Sequence, residues 1–262
     1  RLRATDGTPS AYSNVITVYP VSRGGTVSAD QTICSGSQPA SLNLSGHYGT
    51  ILRWESSADA AFTSPTTISN TTTTLSGASI GALTTTTYFR AVVQSGTNPS
   101  ANSSYVTITV NPTTVGGSVT GVASVCSGST SGVLTLSGHT GNVVRWESSV
   151  SPFTSWTTIA NTSTTYTSGA LTQTTQFRAV VQSGVCAEVN SSPSTVTIST
   201  TTWDGTAWDN GTPTATTAAV INGNYSSTSN GGSITACSLT VNSGFAVVIA
   251  SGDSVVLSGS LT

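Results

Sequence analysis

The sequence contains no lysine and no methionine, and charged residues make up only 6% of its 262 residues. Seven arginines supply the basic side chains, and the formal net charge is −2. Proteins that bind nucleic acid neutralise phosphates with clustered Lys and Arg, so this composition excludes nucleic-acid binding. The absence of lysine also excludes the Lys–Asn isopeptide cross-links that stiffen some bacterial pilins.

Long apolar runs and catalytic groupings are missing as well. No run of about 18 apolar residues occurs, so the sequence predicts no membrane insertion. His47 and His139 occupy the same "SGH" turn in two repeats, without the nucleophile or carboxylate partner that a catalytic base needs. No two of the nine carboxylates form the facing pair of a glycosidase. We therefore predict a protein that is not an enzyme and needs no cofactor.

Internal repetition is the strongest feature that is present. The stretch "LRWESS" at residues 52–57 returns as "VRWESS", and its Trp54 lies 92 residues before Trp146. The stretch "FRAVVQSG" also occurs twice, 88 residues apart. A fixed period of this kind indicates tandem modules, and we predict one at residues 23–112 and one at residues 113–199.

Both repeats have the pattern of an all-β fold. Thr, Val, Ile and Ser dominate and often alternate, as in "YVTITV" at residues 105–110, and β-branched residues favour strands. About seven short strands with turn residues between them are typical of an immunoglobulin-like (Ig-like) β-sandwich. We predict tandem Ig-like sandwiches.

Four large residues are the predicted core of these sandwiches. A buried Trp on the third strand fills the space between the sheets of such folds, and the alternation also turns the Phe of "FRAVV" inward. Alternation places Arg53 and Glu55 on the solvent-facing side, with Arg90 beside them if the strands are neighbours. Such an exposed pair contributes about 0–1 kcal/mol. The predicted core residues are Trp54, Trp146, Phe89 and Phe177.

Residues 1–22 resemble residues 89–112, with Leu2 in the place of Phe89. We predict that they are the last two strands of a preceding repeat. Two strands alone are marginally stable in water. Strand addition to a neighbouring subunit is the alternative.

The pattern changes after residue 199. Short alternating strands are separated by Ser-Gly pairs at residues 243–244, 251–252 and 258–259, which suggests the stacked rungs of a β-solenoid. We predict the start of a separate β-rich domain at residues 200–262, and we expect that it does not bury a core of its own. Asp204 and Asp209 favour turns, with a calcium site as the alternative.

Four cysteines allow three pairings. Cys126 and Cys186 belong to one module, and we predict a disulfide between them, which implies an oxidising compartment. The position equivalent to Cys186 in the first module is Asn98, so Cys34 lacks the corresponding partner, and pairing of Cys34 with Cys237 stays open. No Cys-x-x-Cys pair occurs, which argues against zinc.

Three further tryptophans are candidates for ligand stacking. An exposed indole can stack on a sugar or anchor a partner. Trp156 aligns with Pro65 of the first module, so the core does not require it. Trp203 and Trp208 lie at a module junction, where packing is the alternative role.

Several stretches together resemble very large secreted proteins of Bacteroidetes, especially flavobacteria. These stretches are "RWESS", "TTIANT", "TTQFRAVVQSGVCAEVNSSP" and "TTTWDGTAWDNGTPTATTAAVINGNYSS" followed by "ACSLTVNSG". The resemblance implies tandem Ig-like repeats, export by the type IX secretion machinery and display on the cell surface, as in gliding-motility adhesins. It also implies an O-glycosylation motif, which is matched once, at Ser254.

We therefore predict a non-enzymatic extracellular stalk segment of a bacterial adhesin, whose partners are the neighbouring modules of the same chain. One alternative is a subunit of a self-assembling extracellular filament or sheath, because the surface lacks the lysines that guard sheet edges. The other is a carbohydrate-binding accessory region of a secreted polysaccharide-degrading enzyme, which would bind surface glycans.

Overall fold

This computed structural model describes residues 18–262. The strand pair predicted for residues 1–22, and with it the proposal of strand addition, falls mainly on residues 1–17, outside the described residues. The described chain is almost entirely β, and its two helices are four residues long. The chain divides into two compact units between Pro112 and Thr113. The predicted fold class, all-β with tandem Ig-like sandwiches, is confirmed.

The first module, residues 23–112, is built from two sheets. One sheet has the strand order β1–β3–β6, and the other has the order β2–β9–β7–β4–β5 with β8 paired to β7. The strands are β1 Thr26–Val27, β2 Gln31–Cys34, β3 Leu42–Ser45, β4 Thr50–Ser57, β5 Thr66–Ile68, β6 Thr74–Leu75, β7 Thr87–Gln94, β8 Ala101–Asn102 and β9 Val106–Asn111, and helix α1 is Gly77–Ile80.

Trp54 fills the space between these sheets. Its side chain is 0% exposed, and its indole Nε1 donates a hydrogen bond to the carbonyl of Thr72 over 3.1 Å. Trp54 lies opposite Ala91 on β7, so the Trp strand and the Phe strand are neighbours. Phe89 is buried in the same core, to which Ile80 of helix α1 adds a contact.

The second module, residues 113–199, repeats this topology. Its sheets have the orders β10–β12–β15 and β11–β18–β16–β13–β14, with β17 paired to β16. The strands are β10 Ser118–Thr120, β11 Ser124–Val125, β12 Leu134–Ser137, β13 Asn142–Val150, β14 Thr157–Ile159, β15 Thr165–Tyr166, β16 Thr175–Gln182, β17 Val189–Asn190 and β18 Ser194–Ile198.

The second core has the same centre as the first. Trp146 is 0% exposed and Phe177 is 2% exposed, and the indole of Trp146 donates to the carbonyl of Ser163 over 2.9 Å. Tyr166 packs against both rings, with centroid distances of 5.6 Å to Trp146 and 5.8 Å to Phe177. All four predicted core residues of the two modules are therefore buried.

The C-terminal domain, residues 200–262, consists of parallel strands stacked as rungs. The ladders are β19–β20–β23, β21–β24 and β22–β25, and all are parallel. This is the arrangement of a β-solenoid. The elements are β19 Thr200–Trp203, β20 Ala218–Ile221, β21 Tyr225–Ser226, α2 Ser227–Asn230, β22 Ile234–Ala236, β23 Ser238–Val241, β24 Val247–Val248 and β25 Val255–Leu257.

The expectation that this domain does not bury a core of its own is wrong. Trp203, Ile221, Ile234 and Leu239 are at most 3% exposed and pack in one cluster. Stacked parallel rungs place like positions above one another, so a few short rungs already enclose an apolar interior. In the described part of the chain, no helix is long and apolar enough to cross a membrane.

Candidate functional site

In the first module, the charged residues next to Trp54 on β4 form a hydrogen-bonded group with Arg90 of β7. Glu55 lies opposite Arg90 on the neighbouring strand. Its Oε1 accepts from Nε of Arg53 over 2.8 Å, and its Oε2 accepts from Nε of Arg90 over 2.8 Å. We call Arg53, Glu55 and Arg90 the first Arg–Glu–Arg cluster.

The prediction that this cluster faces solvent is wrong for its carboxylate. The side chain of Glu55 is only 4% exposed, and that of Arg90 is 19% exposed. The reason is the loop after β4, in which Asp59 accepts a hydrogen bond from the backbone of Ala61 over 2.9 Å. This loop places the ring of Phe62 over the guanidinium of Arg90, with 4.0 Å between Cζ and the ring centroid.

The second module contains an equivalent cluster, which consists of Arg145, Glu147 and Arg178. Glu147 accepts from Nε of Arg145 over 2.9 Å and from Nε of Arg178 over 2.8 Å. Arg145 also forms a salt bridge of 2.8 Å with Glu188, a pairing that the sequence did not reveal. The side chain of Glu147 is 8% exposed, so this carboxylate is buried too.

Both buried glutamates are held in the charged form. Burial alone would raise the pKa of Glu55, but the hydrogen bonds and charges of Arg90 and Arg53 outweigh it and hold the pKa below its ordinary value of 4.5. Burial is likewise outweighed at Glu147 by Arg178 and Arg145, which lower its pKa. Opposite charges within a few ångströms stabilise the ionised carboxylate.

This geometry makes the clusters braces between strands and not reaction centres. Each carboxylate oxygen is occupied by a guanidinium, so neither glutamate offers a basic oxygen to a substrate. A buried ion pair resists the removal of one partner because the other charge is then left uncompensated. Within residues 18–262, no group of three or more His, Cys, Asp and Glu could hold a metal ion.

Trp156 lies on the second cluster and is not a free platform. The guanidinium of Arg178 stands over its ring, with 3.9 Å between Cζ and the ring centroid. Trp156 is half-buried. One face of the ring is therefore used within the module, in the manner of a cation–π contact.

Trp203 and Trp208 form an aromatic group with Tyr225 in the C-terminal domain. Trp203 is 3% exposed, and its centroid lies 5.6 Å from that of Trp208 and 5.2 Å from that of Tyr225. Its Nε1 donates to the carbonyl of Asn224 over 3.1 Å. Trp203 therefore cannot stack on a ligand, because it belongs to the core of its own domain, whereas Trp208 is half-buried.

Asp204 and Asp209 form turns. One carboxylate oxygen of Asp204 accepts from the backbone of Thr206 over 2.7 Å and of Ala207 over 2.9 Å. These bonds lower the pKa of Asp204 to about 2, the bond from Ala207 having the largest effect. Asp209 accepts from the backbone of Thr202 over 2.7 Å. The carboxylates are engaged by their own loop, as the turn interpretation requires.

The predicted disulfide between Cys126 and Cys186 is wrong. Cys34 and Cys186 are the disulfide-bonded cysteines, and Cys126 and Cys237 are free thiols. Cys126 follows β11, which pairs with the strand that borders the beginning of β16. Cys186 follows the end of β16, about 25 Å away at 3.3 Å per strand residue. A disulfide requires Cα atoms within about 7 Å.

Ser254, the predicted O-glycosylation site, is exposed directly before β25. Its backbone N donates to Oγ of Ser233 over 2.9 Å. The hydroxyl therefore lies at the surface, and its modification stays a prediction.

Comparison with known proteins places both modules in one family. Residues 23–112 and residues 115–200 each match the model of a domain of unknown function, DUF8696. The chain belongs to this family. The matched residues make up more than half of the chain, and they are the two Trp-centred sandwiches. No match was found among curated proteins.

Several solved structures of tandem domains are similar to the chain. Three domains of titin share 15% identity with a TM-score of 0.44, over 68% of this chain and 65% of that one. The FN domains of chicken CNTN1 share 12% identity with a TM-score of 0.34, over 71% and 74%. The fibronectin(III)-like modules of Clostridium thermocellum CbhA share 16% with a TM-score of 0.28, over 66% and 93%. The chain thus spans slightly less than two thirds of the titin fragment.

Proposed function

We propose that this chain is a non-enzymatic spacer segment in the stalk of a bacterial cell-surface adhesin, exported by type IX secretion. The observation that carries the proposal is the repetition of one closed sandwich. Each module buries its own tryptophan and the carboxylate of its own Arg–Glu–Arg cluster, and both arginines of each cluster pair with that carboxylate. In repeat proteins, stability adds from module to module, which suits a spacer.

The cysteines and the surface composition support an extracellular location. Cys34 and Cys186 are disulfide-bonded, and disulfides persist in oxidising environments. Charged residues make up 6% of the chain, so few exposed charges exist whose interactions salt could screen. A segment of this composition keeps its fold across a wide range of ionic strength.

The tryptophans give less support to a carbohydrate-binding role. Trp203 is buried, and one face of Trp156 is covered by Arg178. Sugar stacking uses an open aromatic face. Of the three candidate residues, Trp156 and Trp208 therefore remain: both are half-buried, and Trp208 packs against Trp203 and Tyr225.

The location is tested on intact cells of the source bacterium with antibodies against residues 23–199. We expect surface labelling, and we expect it to disappear in a strain that lacks a functional type IX secretion machinery. An antibody against a cytoplasmic protein is the control for cell integrity. Labelling that appears only after lysis would contradict the proposal.

The spacer role is tested by exchange in the full-length gene. Replacement of residues 23–199 by two unrelated Ig-like modules of similar length should preserve adhesion, because only length and stiffness matter. Loss of adhesion with normal surface display would assign a specific binding role to these modules instead.

A further inference from the structure

The two free thiols of the chain lie side by side. Cys126 follows β11 of the second module, and Cys237 lies between β22 and β23 of the C-terminal domain. The thiol of Cys126 lies close enough to that of Cys237 to contribute, after burial, to the raised pKa of Cys237. Both residues lie in the same compact unit, although they are 111 positions apart in the sequence.

The strand pairing of the second module and the stacking of the rungs explain why Cys126 and Cys237 are close in space. Val125 of β11 pairs with Ile198 of β18, so Cys126 comes beside the chain where it leaves the second module. The next residue, Ser199, is the first of three residues, with Thr217 and Cys237, that stack at equivalent positions of successive rungs. The backbone N of Ala218 donates to the carbonyl of Ser199, and the backbone N of Cys237 donates to the carbonyl of Thr217 over 3.0 Å. Neighbouring rungs lie about 4.8 Å apart.

Further bonds hold Cys126 against this column. The hydroxyl of Ser124 lies 3.2 Å from that of Thr216, and Sγ of Cys126 lies 3.7 Å from the carbonyl oxygen of Ala215. The carbonyl of Ala215 also accepts from the hydroxyl of Ser258 over 3.2 Å. Cys126 is therefore held by the pairing of β11 with β18 and by contacts with Ala215 and Thr216.

The first module contains a matching cysteine. Cys34 ends β2, where it pairs with Asn111 beside the end of β9, as Cys126 lies beside the end of β18. Cys34 is disulfide-bonded. The same position in the first module is thus already used for a disulfide.

We propose that Cys126 and Cys237 form a disulfide that joins the second Ig-like module covalently to the C-terminal β-solenoid domain. The oxidant is a disulfide compound, and thiol–disulfide exchange is the reaction. The bond would form where the ends of both strands are already held by neighbouring hydrogen bonds.

The exposure of the two thiols sets the order of the exchange steps. Cys126 is half-buried, whereas Cys237 is 1% exposed. Burial, together with the hydrogen bond and charge of Cys126, raises the pKa of Cys237 to about 11. The attacking species is the thiolate, so the more accessible Cys126 reacts first.

The exchange balances with glutathione disulfide as the oxidant. The thiolate of Cys126 attacks one sulfur, which breaks the S–S bond, forms a mixed disulfide and releases one glutathione thiolate. The thiolate of Cys237 then attacks the sulfur of Cys126 and releases the second glutathione thiolate. The two released thiolates take up the two protons that the cysteines gave up, so two protein thiols are oxidised and one disulfide is reduced.

The test uses the 262-residue chain, incubated natively with glutathione disulfide, alkylated and digested without reductant. Trypsin with a protease that cuts after Asp and Glu places every cysteine in a separate peptide. These peptides comprise residues 31–53 (Cys34), 91–145 (Cys126), 179–188 (Cys186) and 210–253 (Cys237).

We expect the peptides of Cys126 and Cys237 to be joined, with the intact mass lowered by two hydrogen atoms relative to the untreated chain. Alkylation of both cysteines after oxidation, a glutathione adduct that persists on Cys126, or a joining of Cys126 to Cys186 would overturn the proposal. A disulfide between two copies of the chain would overturn it as well.

Two variants serve as matched controls. In Cys237→Ser, the exchange should stop at the mixed disulfide, so that Cys126 carries one glutathione. In Cys126→Ser, the buried Cys237 should remain a thiol under the same conditions. Because the second variant changes a half-exposed residue, it reports on the pair even if the first variant folds poorly. Rapid glutathionylation of Cys237 in Cys126→Ser would contradict the assigned order.

Discussion

The two Ig-like modules share a core and a charged brace but cover them in different ways. In the first module, Phe62 lies on Arg90, in a loop that Asp59 organises. In the second module, Trp156 lies on Arg178. The comparison shows that both modules have the covered ion cluster, whereas the residue that covers it differs between them.

A second difference concerns the space beside the core tryptophan. The first module uses Leu75, which is 0% exposed, and adds Ile80 from helix α1. The second module has three residues fewer between Tyr166 and Leu171 than the first has between Leu75 and Leu83, and it forms no helix there. The larger ring of Tyr166 packs against the core instead. In the second module, the larger side chain of Tyr166 thus fills the space that Ile80 of the longer loop occupies in the first module.

The largest expected effect comes from removal of a core indole. Trp54→Ala should destabilise the first module by about 4 kcal/mol through lost burial and a cavity, and Trp146→Ala should do the same in the second module. Peptide-resolved hydrogen exchange should show the loss of protection only in the substituted module. Equal loss in both modules from one substitution would show that the cores are not separate.

Neutralisation of a brace should have the next largest effect. Glu55→Gln and Glu147→Gln should each destabilise their module by about 2–3 kcal/mol, since two partly buried arginines lose their counter-charge. Chemical denaturation measures the change, and Glu188→Gln is the control, with an expected loss below about 1 kcal/mol because its salt bridge is exposed.

The same clusters predict how stability depends on pH. Both glutamates have a pKa lowered in the folded chain from the ordinary value of 4.5. Their contribution is therefore complete above pH 4.5 and is lost as the pH falls through the lowered folded values. Denaturation midpoints should decline below about pH 5, and the doubly substituted Glu55→Gln, Glu147→Gln chain should show a shallower decline. An equal slope in both chains would remove this assignment.

Much of the architecture could be predicted from the sequence, because it depends on local periodicity and repetition. The alternation around Trp54 and Phe89 identifies the inward faces, and the repeat offset identifies equivalent positions. Alternation also places Glu55 opposite to Trp54, but it does not show whether a loop covers that outer face. The position of Phe62 depends on the loop conformation, with a positive φ of 52°, which no period reveals.

The cysteine pairing could not be predicted because it depends on the three-dimensional position of strand ends. Membership of one module suggested Cys126 and Cys186, yet these residues flank opposite ends of β16. Cys34 and Cys126 each lie beside the end of the last strand of their module. This position follows only from the parallel pairing of β2 with β9 and of β11 with β18, which the sequence pattern does not show.

Exchange of the compensating residues sharpens the comparison between the cores. Tyr166→Leu should destabilise the second module by about 1–2 kcal/mol, because the shorter loop provides no counterpart of Ile80 to fill the space. Insertion of the residues 76–82 segment in place of the shorter loop should restore part of this loss. Thermal denaturation followed by Trp fluorescence provides the measurement, and an unchanged midpoint for Tyr166→Leu would contradict the compensation.

The smallest expected effect concerns the covering ring of the second module. Trp156→Leu keeps apolar bulk but removes the π face over Arg178, and it should cost about 0.5–1 kcal/mol. Trp156→Phe, which imitates the Phe62 arrangement, should cost less than Trp156→Leu. If both variants were as stable as the parent chain, the contact between Arg178 and the ring would make no net contribution.

The central claim is that each module closes its own tryptophan-centred core and unfolds as a unit. Single-molecule force spectroscopy on the chain, held by its ends in the presence of a disulfide reductant, tests this claim most directly. We expect two separate unfolding events that each release about 300 Å of chain, at about 3.4 Å per residue, and we expect Trp146→Ala to weaken one event and leave the other unchanged. A single cooperative event that releases the length of both modules together would contradict the account.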